Sequence, residues 1–87
     1  MVRTMYDILF SKKAVAYLDK LEKKQRARIL RAVERLKIRP EAHLVRLVDE
    51  AAYKFRVGDY RLIIDIEQAE LRILVIKIGH RRNIYKK

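Results

Sequence analysis

The sequence contains no cysteine, only two histidines and a single proline among its 87 residues. Without cysteine there is neither a disulfide framework nor a thiolate metal site, and two imidazoles are too few for a multi-histidine metal centre. No apolar run approaches the roughly 18 residues of a membrane span, and the N-terminus lacks the features of a signal peptide. We therefore expect a cytoplasmic protein with no cofactor, no metal and no membrane partner.

Acidic residues are also scarce relative to basic ones. The chain carries 22 Lys and Arg against 11 Asp and Glu, which gives a formal net charge of +11. Because like charges repel within a compact domain, a polyanionic partner such as nucleic acid or ribosomal RNA is the simplest reason to tolerate this excess. A well-solvated charged surface is the alternative.

The apolar residues are numerous enough for a folded domain. They make up 51% of the chain, which argues against a disordered basic tail. A chain of 87 residues suffices for one domain and is too short for two, and no linker or repeat divides it. We therefore expect a single domain over 1–87.

The spacing of the apolar residues predicts the N-terminal elements. Residues 5–10 alternate as in a short strand, and Ser11 offers a helix cap. From Lys12 to Arg39 apolar residues recur at spacings of three and four, until Pro40 ends the pattern. One helix over that stretch would be roughly 42 Å long, too long for this domain, so we expect a bend near 23–25 and an antiparallel helical hairpin.

After the proline the period changes to two, which predicts strands. We expect a short strand at 44–48 and clearer ones at 53–57, 60–66 and 71–78. Gly58–Asp59, between two alternating runs, is typical of a tight hairpin turn. A strand, a helical hairpin and an antiparallel meander define an α+β fold with the helices packed on one face of the sheet.

A two-residue turn at 58–59 fixes the register of this hairpin. It pairs apolar or aromatic residues on one face, namely Val57 with Tyr60, Phe55 with Leu62 and Tyr53 with Ile64. The same register puts Arg56 opposite Arg61 on the other face, with Lys54 beside them. Like charges directly opposite each other destabilise a sheet, so the cluster indicates a phosphate site. The alternative is that the long arginine side chains splay into water.

In the next hairpin the same reasoning pairs Ile66 with Leu71, and Asp65 with the compensating charge of Arg72. Three apolar residues are then expected on the face of the cations: Ile63, Leu74 and Ile76. An apolar patch bordered by charge suggests that a protein partner packs there. The alternative is a sheet covered by the C-terminal tail.

The C-terminal segment 79–87 combines cations with one aromatic ring. Such a segment suits single-stranded RNA, because a base can stack on Tyr85 while the basic groups hold phosphates. A frayed basic tail is the alternative.

Two motifs together resemble the RelE/ParE toxin superfamily. They are the run from Tyr53 to Arg61, which reads YKFRVGDYR, and the run Ile78-Gly79-His80-Arg81, followed by Tyr85. The resemblance extends over nearly the whole chain, since Ser11 and Pro40 bracket the two helices as expected. It implies a toxin of a toxin–antitoxin pair. RelE-type members enter the ribosomal A site and cleave mRNA, and a cognate antitoxin wraps and inhibits them.

The resemblance also implies roles for individual residues. Lys54 and Arg56 match the family's basic pair, Arg61 its transition-state arginine, Arg81 its second catalytic arginine, and Tyr85 its base-stacking tyrosine. Arg56 and His80 depart from the lysines that some members carry at these positions.

Cleavage of RNA by its own 2′-hydroxyl needs a base, a charge on the phosphate and an acid. Arginine holds phosphate well but transfers protons poorly, so Lys54 is the better base and His80 the better acid. For His80, a structural role after Gly79 is the alternative.

Two other functions stay open. One is a ParE-like, non-catalytic toxin that inhibits DNA gyrase through protein contacts, and the other is a non-enzymatic RNA-binding module. Arg61, Arg81 and Tyr85 together favour the nuclease, because a gyrase binder has no need of them.

Overall fold

The computed structural model of the chain describes residues 5–46 and 52–80. Its elements, in chain order, are β1 (Asp7–Phe10), α1 (Lys12–Lys20), α2 (Lys23–Glu34), two 3₁₀ turns (Arg35–Lys37 and Pro40–Ala42), β2 (Val45–Arg46), β3 (Tyr53–Val57), β4 (Tyr60–Glu67) and β5 (Arg72–His80). A strand, two helices and then a group of strands confirm the predicted α+β fold. Neither helix in the described ranges has the length and apolar character needed to cross a bilayer.

The strands form one five-stranded sheet in the order β1-β5-β4-β3-β2. Strands β2 to β5 pair antiparallel, as expected for the meander. Strand β1 lies parallel to β5, with Asp7 beside Arg72 and Phe10 beside Val75. The N-terminal strand therefore makes the sheet mixed and lies beside the strand that ends in the candidate site.

The N-cap of the helical hairpin is where the sequence predicts it, whereas the bend lies at 21–22, just before the expected 23–25, which form the start of α2. The Oγ of Ser11 accepts a hydrogen bond from the N–H of Ala14 at 3.1 Å, which satisfies a free donor of the first turn. The helices are separated by Leu21 and Glu22, both with extended backbone. No glycine or proline marks this bend, but Leu21 packs against the core, so tertiary packing favours it.

The core lies between the two helices and one face of the sheet. Its fully buried members come from both layers, and include Ala14, Ile29 and Leu36 from the helical half and Leu62, Ile64, Ile73 and Val75 from the strands. Burying one such large aliphatic side chain contributes about 1.5–3 kcal/mol. The helices thus hold one face of β3 and β4 rigidly, and the other face points away from them.

The predicted register of the β4–β5 hairpin is wrong by two residues. Ile66 pairs with Ile73 and Glu67 with Arg72, whereas Ile66–Leu71 and Asp65–Arg72 were expected. The loop runs over 68–71, and Leu71 adopts a left-handed φ of 51°. Arg72 instead contacts Glu70 at 2.9 Å and Glu67 at 3.6 Å.

Strand β5 also contains a β-bulge that the sequence did not reveal. Ile63 pairs with Lys77 and Ile64 with Val75, which leaves Ile76 as the extra residue. The hydroxyl of Ser11 donates a hydrogen bond to the carbonyl of Ile76, so the N-cap of α1 supports the bulge. Beyond it the alternation reverses, and Ile78 is buried in the core.

Candidate functional site

The hairpin of β3 and β4 has the predicted register. Val57 pairs with Tyr60, Phe55 with Leu62, Tyr53 with Ile64, and Arg56 with Arg61. Gly58 has a φ of 58°, a conformation that glycine adopts at little cost and that a two-residue hairpin turn requires. This turn and the buried Phe55, Val57 and Leu62 beneath it fix where the cations lie.

Lys54, Arg56 and Arg61 share the sheet face that points away from the helices. Paired residues and alternate residues of a strand project to the same side, and Lys54 pairs with Ile63 while Arg56 pairs with Arg61. Arg56 is exposed, whereas Lys54 and Arg61 are half-buried, and the Nε atom of Arg61 is buried. The structure therefore brings these three predicted site residues together.

Strand β5 places a glycine beside Arg61. The residue that pairs with Arg61 on that side is Gly79, which has no side chain to occupy the surface next to the guanidinium. Gly79 is itself buried, and a half-buried guanidinium can contact a phosphate while partly removed from water. Charge interactions are stronger there than at a fully exposed position.

His80 lies on the opposite face of the sheet. It pairs with Tyr60, and the two rings meet edge to face, with centroids 5.9 Å apart. Tyr60 in turn meets Tyr17 of α1 edge to face at 6.4 Å. Burial raises the pKa of Tyr17, and the nearby Tyr60 raises it further. A hydrogen bond with the backbone of His80 lowers the pKa of Tyr17 in part.

The bulge explains why His80 is separated from the cations. Unbroken alternation from Leu74 would have put residue 80 on the face of Arg61, and the extra residue at Ile76 moves it to the other face. A half-buried imidazole among aromatic rings fits the alternative, structural role of His80 better than the expected acid. Arg81 and Tyr85 lie outside the described residues, and their roles stay predictions.

The predicted site residues did not include a second group of cations. Arg28, Arg31 and Arg35 of the helical half approach β3 near Arg56 and Gly58. Their spacing of three and four residues places them on one helix face, and this was the available signal. Among the described residues, no group of three or more His, Asp or Glu could hold a metal.

Comparison with known proteins identifies the class of this fold and site. Residues 8–85 match the family described as the ParE toxin of the type II toxin–antitoxin system parDE. The match spans nearly the whole chain, so the protein belongs to the ParE toxin family of type II toxin–antitoxin systems. A search of curated proteins found no match.

Solved structures of RelE toxins share the fold. The toxin of the RelBE2 complex from Mycobacterium tuberculosis superposes with a TM-score of 0.83 at 22% identity, over 94% of this chain and 98% of that one. The archaeal RelE–RelB complex from Pyrococcus horikoshii OT3 matches with a TM-score of 0.77 at 26% identity, over 91% of this chain and 98% of that one. The intact E. coli RelBE complex matches with a TM-score of 0.72 at 23% identity, over 86% of this chain and 95% of that one. The protein is thus a type II toxin that is RelE-like in structure.

Proposed function

We propose that this toxin is a RelE-type mRNA interferase, an endoribonuclease that cleaves mRNA in the ribosomal A site by attack of the 2′-hydroxyl, without a metal. The observation that carries the proposal is the pairing of Arg56 with Arg61, next to Lys54, on the open face of a tight hairpin. A sheet gains no stability from this arrangement. A phosphate placed between the guanidinium groups removes the repulsion.

The three side chains suit different parts of the reaction. In the transition state negative charge builds on the phosphate oxygens, and a fixed guanidinium beside them stabilises it. Arg61, half-buried, is the group for that role, while the exposed Arg56 binds the phosphate on approach. Lys54 is the candidate base for the 2′-hydroxyl, and Arg81 and Tyr85 are proposed to add a second cation and a stacking surface.

The same face of the sheet suits a cognate antitoxin. Besides the cations it carries Ile63 and Leu74, both half-buried, and Leu9 of β1, which is 46% exposed. Apolar residues bordered by charge are typical of a protein interface. The related solved structures are toxin–antitoxin complexes. An antitoxin on this face would cover the cations and block the entry of RNA.

The family match favours a second candidate, a ParE-like toxin that inhibits DNA gyrase without catalysis. In that case the cationic face would serve protein contacts alone. A non-enzymatic RNA-binding module is the third possibility. All three act on cytoplasmic targets, which is consistent with the expected localisation.

One pair of assays separates these functions. The purified toxin is added to a reconstituted translation reaction, mRNA ends are mapped by primer extension, and gyrase supercoiling is measured in parallel. We expect new mRNA ends within codons only when ribosomes are present, and full gyrase activity. Gyrase inhibition with intact mRNA would establish the ParE-like function instead. If the toxin causes neither effect, the non-enzymatic RNA-binding module is the remaining function.

A further inference from the structure

A second cationic surface lies between the helical half of the molecule and β3. It is a groove of about 350 Å³, which we call the α2 groove, lined by Arg28, Arg31, Ala32, Arg35, His43, Phe55, Arg56, Val57 and Gly58. Four of these residues are arginines, and none of the described lining residues is acidic. The groove therefore concentrates positive charge, and Arg56 is the member that it shares with the open sheet face.

The arginines of the helical wall follow one line. Arg28, Arg31 and Arg35 are spaced by three and four residues, so they project from one side over an axial distance of about 10 Å. One strand of a nucleic acid duplex presents roughly three phosphates over that distance. A row of three guanidinium groups over this distance can therefore contact more than one phosphate of the same nucleic acid.

These cations have no internal compensation in the described structure. Within 5–46 and 52–80, none of the four arginines takes part in an ion pair, whereas Lys37 contacts Glu34 at 3.2 Å and Arg72 contacts Glu70 at 2.9 Å. Arg28 lies directly over the hairpin turn, because its guanidinium is 2.9–3.1 Å from where a Cβ on Gly58 would stand. Crowded like charges of this kind favour a polyanionic ligand.

The lining of the groove favours RNA over an acidic protein. Protein interfaces combine arginines with apolar or aromatic anchors, and none of the large exposed hydrophobic residues of the described structure lines the groove. They are Met5, Leu9, Val15, Leu30, Ile38, Val45 and Ile76. Guanidinium groups, in contrast, bind phosphate through two parallel hydrogen bonds.

We propose that the α2 groove binds the phosphate backbone of structured RNA, as a docking site distinct from the proposed catalytic groups Lys54 and Arg61. The inference rests on the proposed function only in taking RNA as the partner. Arg56 lines the groove and also pairs with Arg61, so it connects the two surfaces. RNA docked in the groove would then hold the toxin with its open face next to a second, single-stranded segment.

The test measures binding without cleavage. The probe is a fluorescein-labelled RNA hairpin with a 2′-O-methyl stem and loop, which cannot be cut by 2′-hydroxyl attack. Fluorescence anisotropy measures its Kd at KCl concentrations from about 50 to about 200 mM, because phosphate contacts weaken strongly over this range. The variant is Arg31→Ala/Arg35→Ala. The control is Lys12→Ala/Lys13→Ala, which removes the same net charge from exposed positions of α1.

We expect the groove variant to bind about tenfold more weakly, and the slope of log Kd against log salt to fall by about 2, or about 1 for each lost phosphate contact. The control should keep the wild-type slope. Equal losses in both variants, or no loss in the groove variant, would overturn the proposal. A groove variant that keeps RNA affinity but loses affinity for an acidic peptide would assign the groove to a protein partner.

The outcome is independent of the proposed catalysis. Arg72→Ala, which removes an arginine held by Glu67 and Glu70 outside both proposed sites, should leave affinity for the hairpin RNA unchanged. A toxin that cuts no mRNA, yet loses hairpin binding in the groove variant, would refute the proposed function and support the docking site. Circular dichroism melting of each variant checks that the fold is kept, which we expect since both substituted arginines are exposed.

Discussion

At the scale of single residues, the molecule keeps two arginines where a sheet gains nothing from them. Arg56 and Arg61 oppose each other directly across β3 and β4. Cross-strand pairs of opposite charge contribute roughly 0.2–1 kcal/mol, and like charges are unfavourable at the same position. The hairpin therefore carries an electrostatic cost that a negatively charged ligand bound between the two arginines would reduce.

Replacing Arg56 with glutamate should reverse that cost. We expect Arg56→Glu to raise the free energy of unfolding by up to about 1 kcal/mol at low salt, with a smaller gain at high salt because screening weakens surface charge interactions. Chemical denaturation at two salt concentrations measures the effect. The control is Arg46→Glu, which makes the same change of charge at a position that pairs with Tyr53 instead of with an arginine. Equal gains in both variants would show that only net charge matters.

At the scale of elements, the hairpin turn and the β5 bulge decide which side chains meet. Gly58 supplies the left-handed turn that puts Arg56 opposite Arg61, and Arg28 fills the space that a side chain on Gly58 would need. The bulge at Ile76, supported by Ser11, moves His80 to the helix-facing side. Two local departures from regular β structure thus separate the cationic cluster from the Tyr17–Tyr60–His80 aromatic cluster.

Substituting the turn glycine should destabilise the hairpin. We expect Gly58→Ala to lower the free energy of unfolding by about 1–2 kcal/mol, because a left-handed φ is unfavourable for a residue with a Cβ, and Arg28 must also move. Gly58→Asn should cost less, since asparagine tolerates this conformation. Thermal and denaturant unfolding compare the two. A larger loss for asparagine would show that crowding against Arg28, and not backbone strain, dominates.

The two hairpins show what a sequence can and cannot predict. A two-residue turn leaves one register that pairs the alternating apolar or aromatic residues of β3 and β4 on one face, so the positions of Lys54, Arg56 and Arg61 followed from the sequence. In β5 the run 73–76 is apolar at every position, so alternation does not reveal a bulge within it. The two-residue error in the β4–β5 register keeps every side chain on its face, and the hydrophobic pattern therefore cannot detect it.

At the scale of the whole molecule, the sheet has two faces with different tasks. One packs against the helical hairpin and forms the core, and the other carries the cations together with Leu9, Ile63 and Leu74. The net charge of +11 is distributed over this open face and the α2 groove, among other surfaces. A partner that covers the open face would neutralise charge and bury apolar area at the same time.

We therefore expect Ile63→Asp/Leu74→Asp to weaken binding of the cognate antitoxin. Buried carboxylates in an apolar contact are unfavourable, and a loss of at least tenfold in affinity is about what 1.4 kcal/mol produces. Calorimetric titration with the purified antitoxin measures it. Val15→Asp is the matched control, because Val15 is an exposed apolar residue of α1, 44% accessible. Unchanged affinity in the double variant would put the antitoxin on another surface.

If the hairpin cations cleave RNA, two arginines on the same face of the sheet should differ in their effect on cleavage. Arg61→Ala removes the proposed transition-state charge, and Arg72→Ala removes an arginine held by Glu67 and Glu70 at the far end of β4 and β5. The measurement is the single-turnover rate of cleavage of ribosome-bound mRNA. We expect Arg61→Ala to be at least about tenfold slower than wild type and Arg72→Ala to match it. Cleavage by Arg61→Ala at the wild-type rate would contradict the account.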